Sequence, residues 1–195
     1  MPCQVCFRYR TGAVLCDRCR RRLLSAPDSL LPGGVRLIAA FSHVGPARSL
    51  AHDLKYRGLT GYAGLVADAV TPRLPRLPLV PIPRAMTRRI KYGVDPSTEV
   101  AQAIALRMGV PVLPLLRPPI HTRRRAGGDH AAPVRPFGLR ARPNTPVLVV
   151  DDVVTTGATV SAAIHALGPE MVAGAVSANA ANQVSSLLRL APIDP

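Results

Sequence analysis

Residues 147–160 read VLVVDDVVTTGATV: an apolar run, two adjacent carboxylates, then a loop of small and hydroxyl-bearing residues. Packing alone does not ask for that order. Asp151 and Asp152 at the end of the run Val147 to Val150 can accept hydrogen bonds from a vicinal diol or sit beside a hydrated Mg2+. Thr155, Thr156, Gly157, Ala158 and Thr159 then lead into a helix pattern, where free N–H groups, the helix dipole and hydroxyls favour an anion. Gly157 would let the backbone approach a phosphate closely. A diol reader followed within a few residues by a monophosphate cradle describes a ribose 5-phosphate. Two other readings fail on residue types. A phospho-acceptor receiver domain needs a late lysine, and the only lysines are Lys55 and Lys91; a P-loop needs G-x-x-x-x-G-K-[ST], which does not occur.

A second constellation lies at the other end of the chain. Cys3, Cys6, Cys16 and Cys19 are all the cysteines there are, spaced C-x2-C-x9-C-x2-C. Two such knuckles present four thiolates that can close a tetrahedral Zn2+ site, in a segment too short for a core of its own. Disulfides and a redox C-x-x-C are the competing uses, the first disfavoured by a cytoplasmic address. Structural zinc is the expectation.

The elements that position these groups read as alternating strands and helices. VRLIAAFSH is strand-like; PARSLAHDLKYRG and YAGLVADAV carry apolar residues at helical spacing; LPLVPIP is a short buried strand. Asp95-Pro96 opens a helix with Val100, Ile104 and Met108 inward, and GVPVLPLL reads as the next strand. From Arg117 to Thr145 no periodicity is clear, as in a long loop or lid. The opening motif follows, then a helix with Val160, Ile164 and Leu167 inward and Gly168 as its C-cap, then the strand MVAGAVSA. That order predicts an α/β fold with a parallel sheet. The turn-rich SAPDSLLPGG (25–34) separates a zinc-knuckle module, residues 1–25, from a larger domain, residues 35–195.

At 195 residues and 48% hydrophobic, the chain can bury one sizeable core and a small appendage. It opens MPCQVCFRYR without an apolar leader, and Met171 to Leu188 is too polar for a membrane span, so a soluble cytoplasmic protein with no membrane insertion is expected. The net charge of +14 is dispersed along the chain, with clusters only at Arg18 to Arg22 and Arg123 to Arg125. It suits a phosphorylated small molecule or nucleic acid, and equally the Arg-rich usage of a GC-rich genome. Aromatics are only 4% of residues and Trp is absent, so base-stacking platforms are few, with Phe7 and Tyr9 the nearest to the basic cluster.

The 147–160 string resembles the PRPP (phosphoribosyl pyrophosphate) motif of type I phosphoribosyltransferases. With the four cysteines, DLKYRG (53–58), VPIPR (80–84) and RRIKYGVDP (88–96), nearly the whole chain is similar to the ComF (competence protein F) branch of that superfamily. The resemblance implies a type I phosphoribosyltransferase core behind a zinc-ribbon-like module. It implies PRPP bound with Mg2+ by Asp151, Asp152, Val153 and residues Thr155 to Thr159. Asp151, Asp152, Lys55 and Arg84 would be the catalytic set, Lys55 and Arg84 facing the pyrophosphate, with a mobile hood over residues 117–145. It also implies a rival role, handling single-stranded DNA beside DNA-uptake proteins without catalysis. The chain departs from the family pattern at Tyr92, Val94 and Asp95, where relatives carry Arg, an aromatic and Asn, and in the hood, where Asp129, His130 and Arg135 only partly match. Neither the acceptor nor the oligomeric state is written in the sequence.

Overall fold

The computed structural model describes residues 2–8, 13–118 and 137–181. Its centre is a five-stranded sheet in the order β1-β2-β7-β6-β3, built from β1 (Ser29–Leu30), β2 (Arg36–Ser42), β3 (Leu79–Pro81), β6 (Val147–Val154) and β7 (Val172–Ala180). Only β1 runs antiparallel; β2·β7, β7·β6 and β6·β3 are parallel. A parallel sheet needs both faces covered, and the near-continuous apolar strands VLVV and RLIAAF meet that requirement.

Side chains alternate between two cores. Leu148 and Val150 of β6 and Ile38 and Ala40 of β2 face α2 (Gly45–Arg57), α3 (Gly61–Val70) and α5 (Pro96–Met108). Val147, Val149, Leu37 and Ala39 face α6 (Ala158–Leu167), together with Leu31 and Leu116. The short helix α1 (Asp17–Arg20) belongs to the cysteine segment, whose Cys3, Leu15 and Cys19 join the first core beside Tyr62. Contact there is close: a Cβ on Gly61 would lie 2.8 Å from Val14.

Two segments differ from the sequence reading, and one helix has no counterpart in it. GVPVLPLL is not a full strand: Val112 alone bridges to Leu79, because Pro111 and Pro114 have no N–H to extend a ladder. Its end, β4 (Leu116–Arg117), instead pairs antiparallel with β5 (Gly138–Leu139), closing the base of the 117–145 segment. The hood residues 119–136 lie outside the described residues. Residues 25–34 supply an edge strand, with Ala26 and Leu31 buried. RRIKY, finally, lies in the helix α4 (Met86–Tyr92), which buries none of its side chains and so shows no apolar periodicity to read. Among the described residues no helix is long and apolar enough to cross a membrane.

Candidate functional site

The apolar run does not end at Val150. β6 continues through both aspartates to Val154, still paired with β7 at Asp151↔Ser177 and Val153↔Asn179. On its other side the ladder with β3 stops at Pro81↔Val150. The carboxylates therefore sit where one neighbour has left and the sheet opens, at the carboxyl end expected to hold ligands in parallel sheets.

In a regular strand, adjacent side chains point to opposite faces. Here both carboxylates find partners on helices of one face. Asp151, buried, accepts from the Ser97 hydroxyl on α5 at 3.2 Å and from the backbone N–H of Asp152 at 2.8 Å. Asp152 lies 2.9 Å from the Lys55 ammonium on α2, and its other oxygen accepts from the Val153 N–H. Burial, then the neighbouring Asp152 charge, pushes Asp151 up to about 7, although the Asp152 N–H and the Lys55 charge oppose this. Burial alone would lower Lys55, but Asp152 outweighs it and holds Lys55 above its ordinary value. The result is a carboxyl pair that carries its own cation.

Arg84 follows the Pro-x-Pro turn and is itself buried. Its Nη1 donates to the Lys55 carbonyl at 2.7 Å and the Val94 carbonyl at 3.2 Å, and its backbone N–H donates to Asp95 Oδ2 at 3.0 Å. The guanidinium lies over Tyr92 at 4.8 Å and Tyr56 at 5.5 Å from the ring centroids. Tyr92, Val94 and Asp95 thus all contact Arg84. Arg84 Nε and Nη2 are buried without a partner among the described residues. Desolvation lowers the Arg84 pKa, yet a guanidinium stays charged at neutral pH.

The Thr155 to Thr159 loop meets α6 as the sequence predicts. Thr155, Thr156 and Ala158 are exposed, Thr159 is half-buried, and Thr156 Oγ1 takes only a long bond, 3.4 Å, from the Ala158 N–H. Gly157 also meets a local conformational and packing demand. It caps α6 in the left-handed region at φ 77°, and a Cβ there would meet Leu31 at 2.8 Å. Leu31 packs under the loop and fixes it.

One group was missed. Asn179 near the end of β7 is fully buried; its amide donates to His43 Nδ1 at 2.9 Å and to the Ala47 carbonyl at 3.0 Å, and its carbonyl accepts from the Tyr62 hydroxyl. His43 stands just beyond β2, held below its ordinary pKa by burial and the charges of Arg48 and Lys55. The signal in the sequence was an amide inside the otherwise apolar strand VAGAVSANA, which must be satisfied when buried.

At the N-terminus, Cys3, Cys6, Cys16 and Cys19 are free thiols whose sulfurs lie within 4.8 Å of one another, Cys6 and Cys16 at 3.8 Å. A ZnS4 tetrahedron with Zn–S of about 2.3 Å has sulfur–sulfur edges of about 3.8 Å. The cluster therefore fits a metal ion such as zinc. Burial pushes Cys19 up to about 12, while at Cys3 the N–H groups of Cys6, Cys16 and Val5 overcome burial and bring it to about 6. Four thiolates in one place need a cation among them. Phe7, just after Cys6, takes the left-handed conformation at φ 57° and is 60% exposed.

Arg123 to Arg125, Asp129, His130, Arg135 and Tyr9 lie outside the described residues. No protein-family model matches the chain, and no curated protein matches it as a relative.

Proposed function

We propose that the chain binds PRPP at the open carboxyl end of β6 and is a phosphoribosyltransferase, the activity implied by its resemblance to the ComF branch. The observation that carries this reading is continuity. Asp151 and Asp152, beside the point where β3 leaves the sheet, run within three residues into an exposed Thr-rich loop on the N-terminus of α6. The carboxylates would accept from the ribose 2- and 3-hydroxyls, and the N–H groups and hydroxyls of Thr155 to Thr159 would hold the 5-phosphate.

Lys55 and the unpartnered edge of Arg84 supply positive charge toward the diphosphate. A diphosphate oxygen would satisfy the Arg84 donors that lack a partner. In transfer, the C1–O bond breaks with its electron pair leaving on diphosphate, and an acceptor lone pair forms the new bond to C1. The protein contributes position and charge stabilisation. Mg2+ fits this oxygen-rich donor set and, when bound with PRPP, would neutralise part of the diphosphate charge. The cysteine cluster is read as a structural Zn2+ site.

Titration calorimetry with Mg-PRPP tests the site. The wild type should bind. The variant Asp151→Asn/Asp152→Asn should lose about ten-fold or more per residue, since a charged hydrogen bond is worth roughly 1.5–3 kcal/mol. Thr156→Val should also weaken binding while leaving metal content and fold unchanged. A wild type that ignores Mg-PRPP, or a double variant that binds equally well, overturns the reading. Pyrophosphate release in a screen of bases and amines then finds the acceptor.

A further inference from the structure

Next to the cysteine cluster is a cavity of about 250 Å3 lined by Cys6, Arg8, Arg18, Cys19 and Arg22. Among the described residues no carboxylate lines it. Arg18 and Arg22 are four residues apart, with the turn continued past α1 by the Arg21 N–H to Asp17 and Arg22 N–H to Cys19 bonds, so the two lie on one side of it. Arg8 reaches the same cavity from the other knuckle. None of the three guanidinium groups has a hydrogen bond or ion pair among the described residues, whereas Arg36 and Arg73 pair with Asp28, and Arg107 with Asp68.

Three exposed arginines line one cavity, and their positive charge draws negative charge to it. The thiols supply only part of it. A dication held by four thiolates leaves two negative charges against three positive ones, and bare thiols at neutral pH leave fewer still. Either way the cavity stays cationic, and its donors are forks that match phosphate oxygens.

We propose that this cavity is an oxyanion site for a phosphate group, separate from the β6 site and independent of its assignment. The phosphate has two candidate sources, a phosphodiester of single-stranded nucleic acid or a free phosphate. Phe7, exposed beside Arg8, offers a ring for a base in the first case.

Two variant pairs separate a site from diffuse charge. Arg18→Gln/Arg22→Gln removes two cavity arginines; Arg20→Gln/Arg21→Gln removes the same charge from the same turn, away from the cavity lining. Full-length, metal-loaded protein is titrated with a labelled oligothymidylate by anisotropy and with inorganic phosphate by calorimetry, and metal content is measured throughout. The first pair should lose ten-fold or more in affinity for at least one probe and, for the oligonucleotide, reduce the slope of log K against log salt by about 1.4. The second pair should change less than about three-fold. Oligothymidylate binding identifies the strand as source, and phosphate binding alone identifies the free ion. If the first pair loses metal, Arg8→Gln decides: it should weaken the same probe by about three-fold or more. Equal losses in both pairs, no binding of either probe by the wild type, an unchanged Arg8→Gln, or lower metal affinity with unchanged probe binding would overturn the proposal. The last result would mean that the arginines serve only the thiolate cluster.

Discussion

The cysteine cluster and the aspartate pair solve the same electrostatic problem in opposite ways. Each holds like charges close together and mostly out of water. Around Asp151 and Asp152 the fold brings compensation from three distant elements: the Lys55 ammonium on α2, the Ser97 hydroxyl on α5 and the Arg84 guanidinium beyond β3. Around the thiols no cation among the described residues lies between the sulfurs, and Arg8, Arg18 and Arg22 stand along a cavity beside them. The first region balances its carboxylates with groups of the chain itself, while Arg84 keeps donors without a partner among the described residues. The second brings four sulfurs together in a cluster that fits an ion such as zinc. Self-contained charge suits a site that binds and releases, and borrowed charge suits a site that stays filled.

The widest gap between them should appear on chelation. A structural zinc contributes on the order of 10 kcal/mol in metal-dependent folds. The knuckle shares a core with Tyr62, so stripping the metal, or Cys19→Ser, should lower Tm by about 10 °C or more. Protein made without a His-tag should carry one Zn2+ by elemental analysis. A metal-free chain of equal stability would erase the contrast.

The aspartate region should respond to pH instead. Asp151 stands at about 7 in the folded chain against an ordinary 3.8, so the folded state keeps a proton that the unfolded state gives up. That contribution is complete below the ordinary value and is lost as pH rises through about 7. Denaturant unfolding at pH 5 and pH 8 should show the wild type losing stability relative to Asp151→Asn as pH rises. A difference that is flat or rises would mean the pair is compensated more fully than its burial indicates.

The smallest effect isolates one strand of that compensation. Ser97→Ala removes a single hydroxyl donor from Asp151, and a net loss of about 1 kcal/mol, or 2–4 °C in Tm, is expected. A silent substitution would leave Lys55 as the main balance of the pair.

Legibility in the sequence follows how far apart the cooperating residues are. The cysteine quartet lies within 17 positions, Cys3 to Cys19, so spacing alone announces that the sulfurs can meet. The aspartates and the Thr loop were legible for the same reason: strand, carboxylates and helix start are contiguous. Ser97 was not, because a serine in the first turn of a helix looks like any other. Nor was the role of Tyr92, Val94 and Asp95, which read as lost family positions until Arg84 was seen among them. The alternation of elements gave the parallel α/β class, but the prolines of GVPVLPLL overrode its apolar pattern, and α4 buries too little to leave a pattern at all.

By itself, then, the sequence determined what is local: four thiols at knuckle spacing, carboxylates at the end of a buried run, and hydroxyls on a helix N-terminus. Tertiary structure decided what is distant. It set both carboxylates against helices of one face, wrapped Arg84 in the Tyr92–Asp95 segment and placed Leu31 against Gly157. It also turned Arg8, Arg18 and Arg22, but not Arg20 or Arg21, toward one cavity. The reason is range. Backbone periodicity and turn chemistry act over a few residues and leave their record in spacing. Burial of charge is settled by whichever side chains the packed core carries to the same place, and no spacing records that.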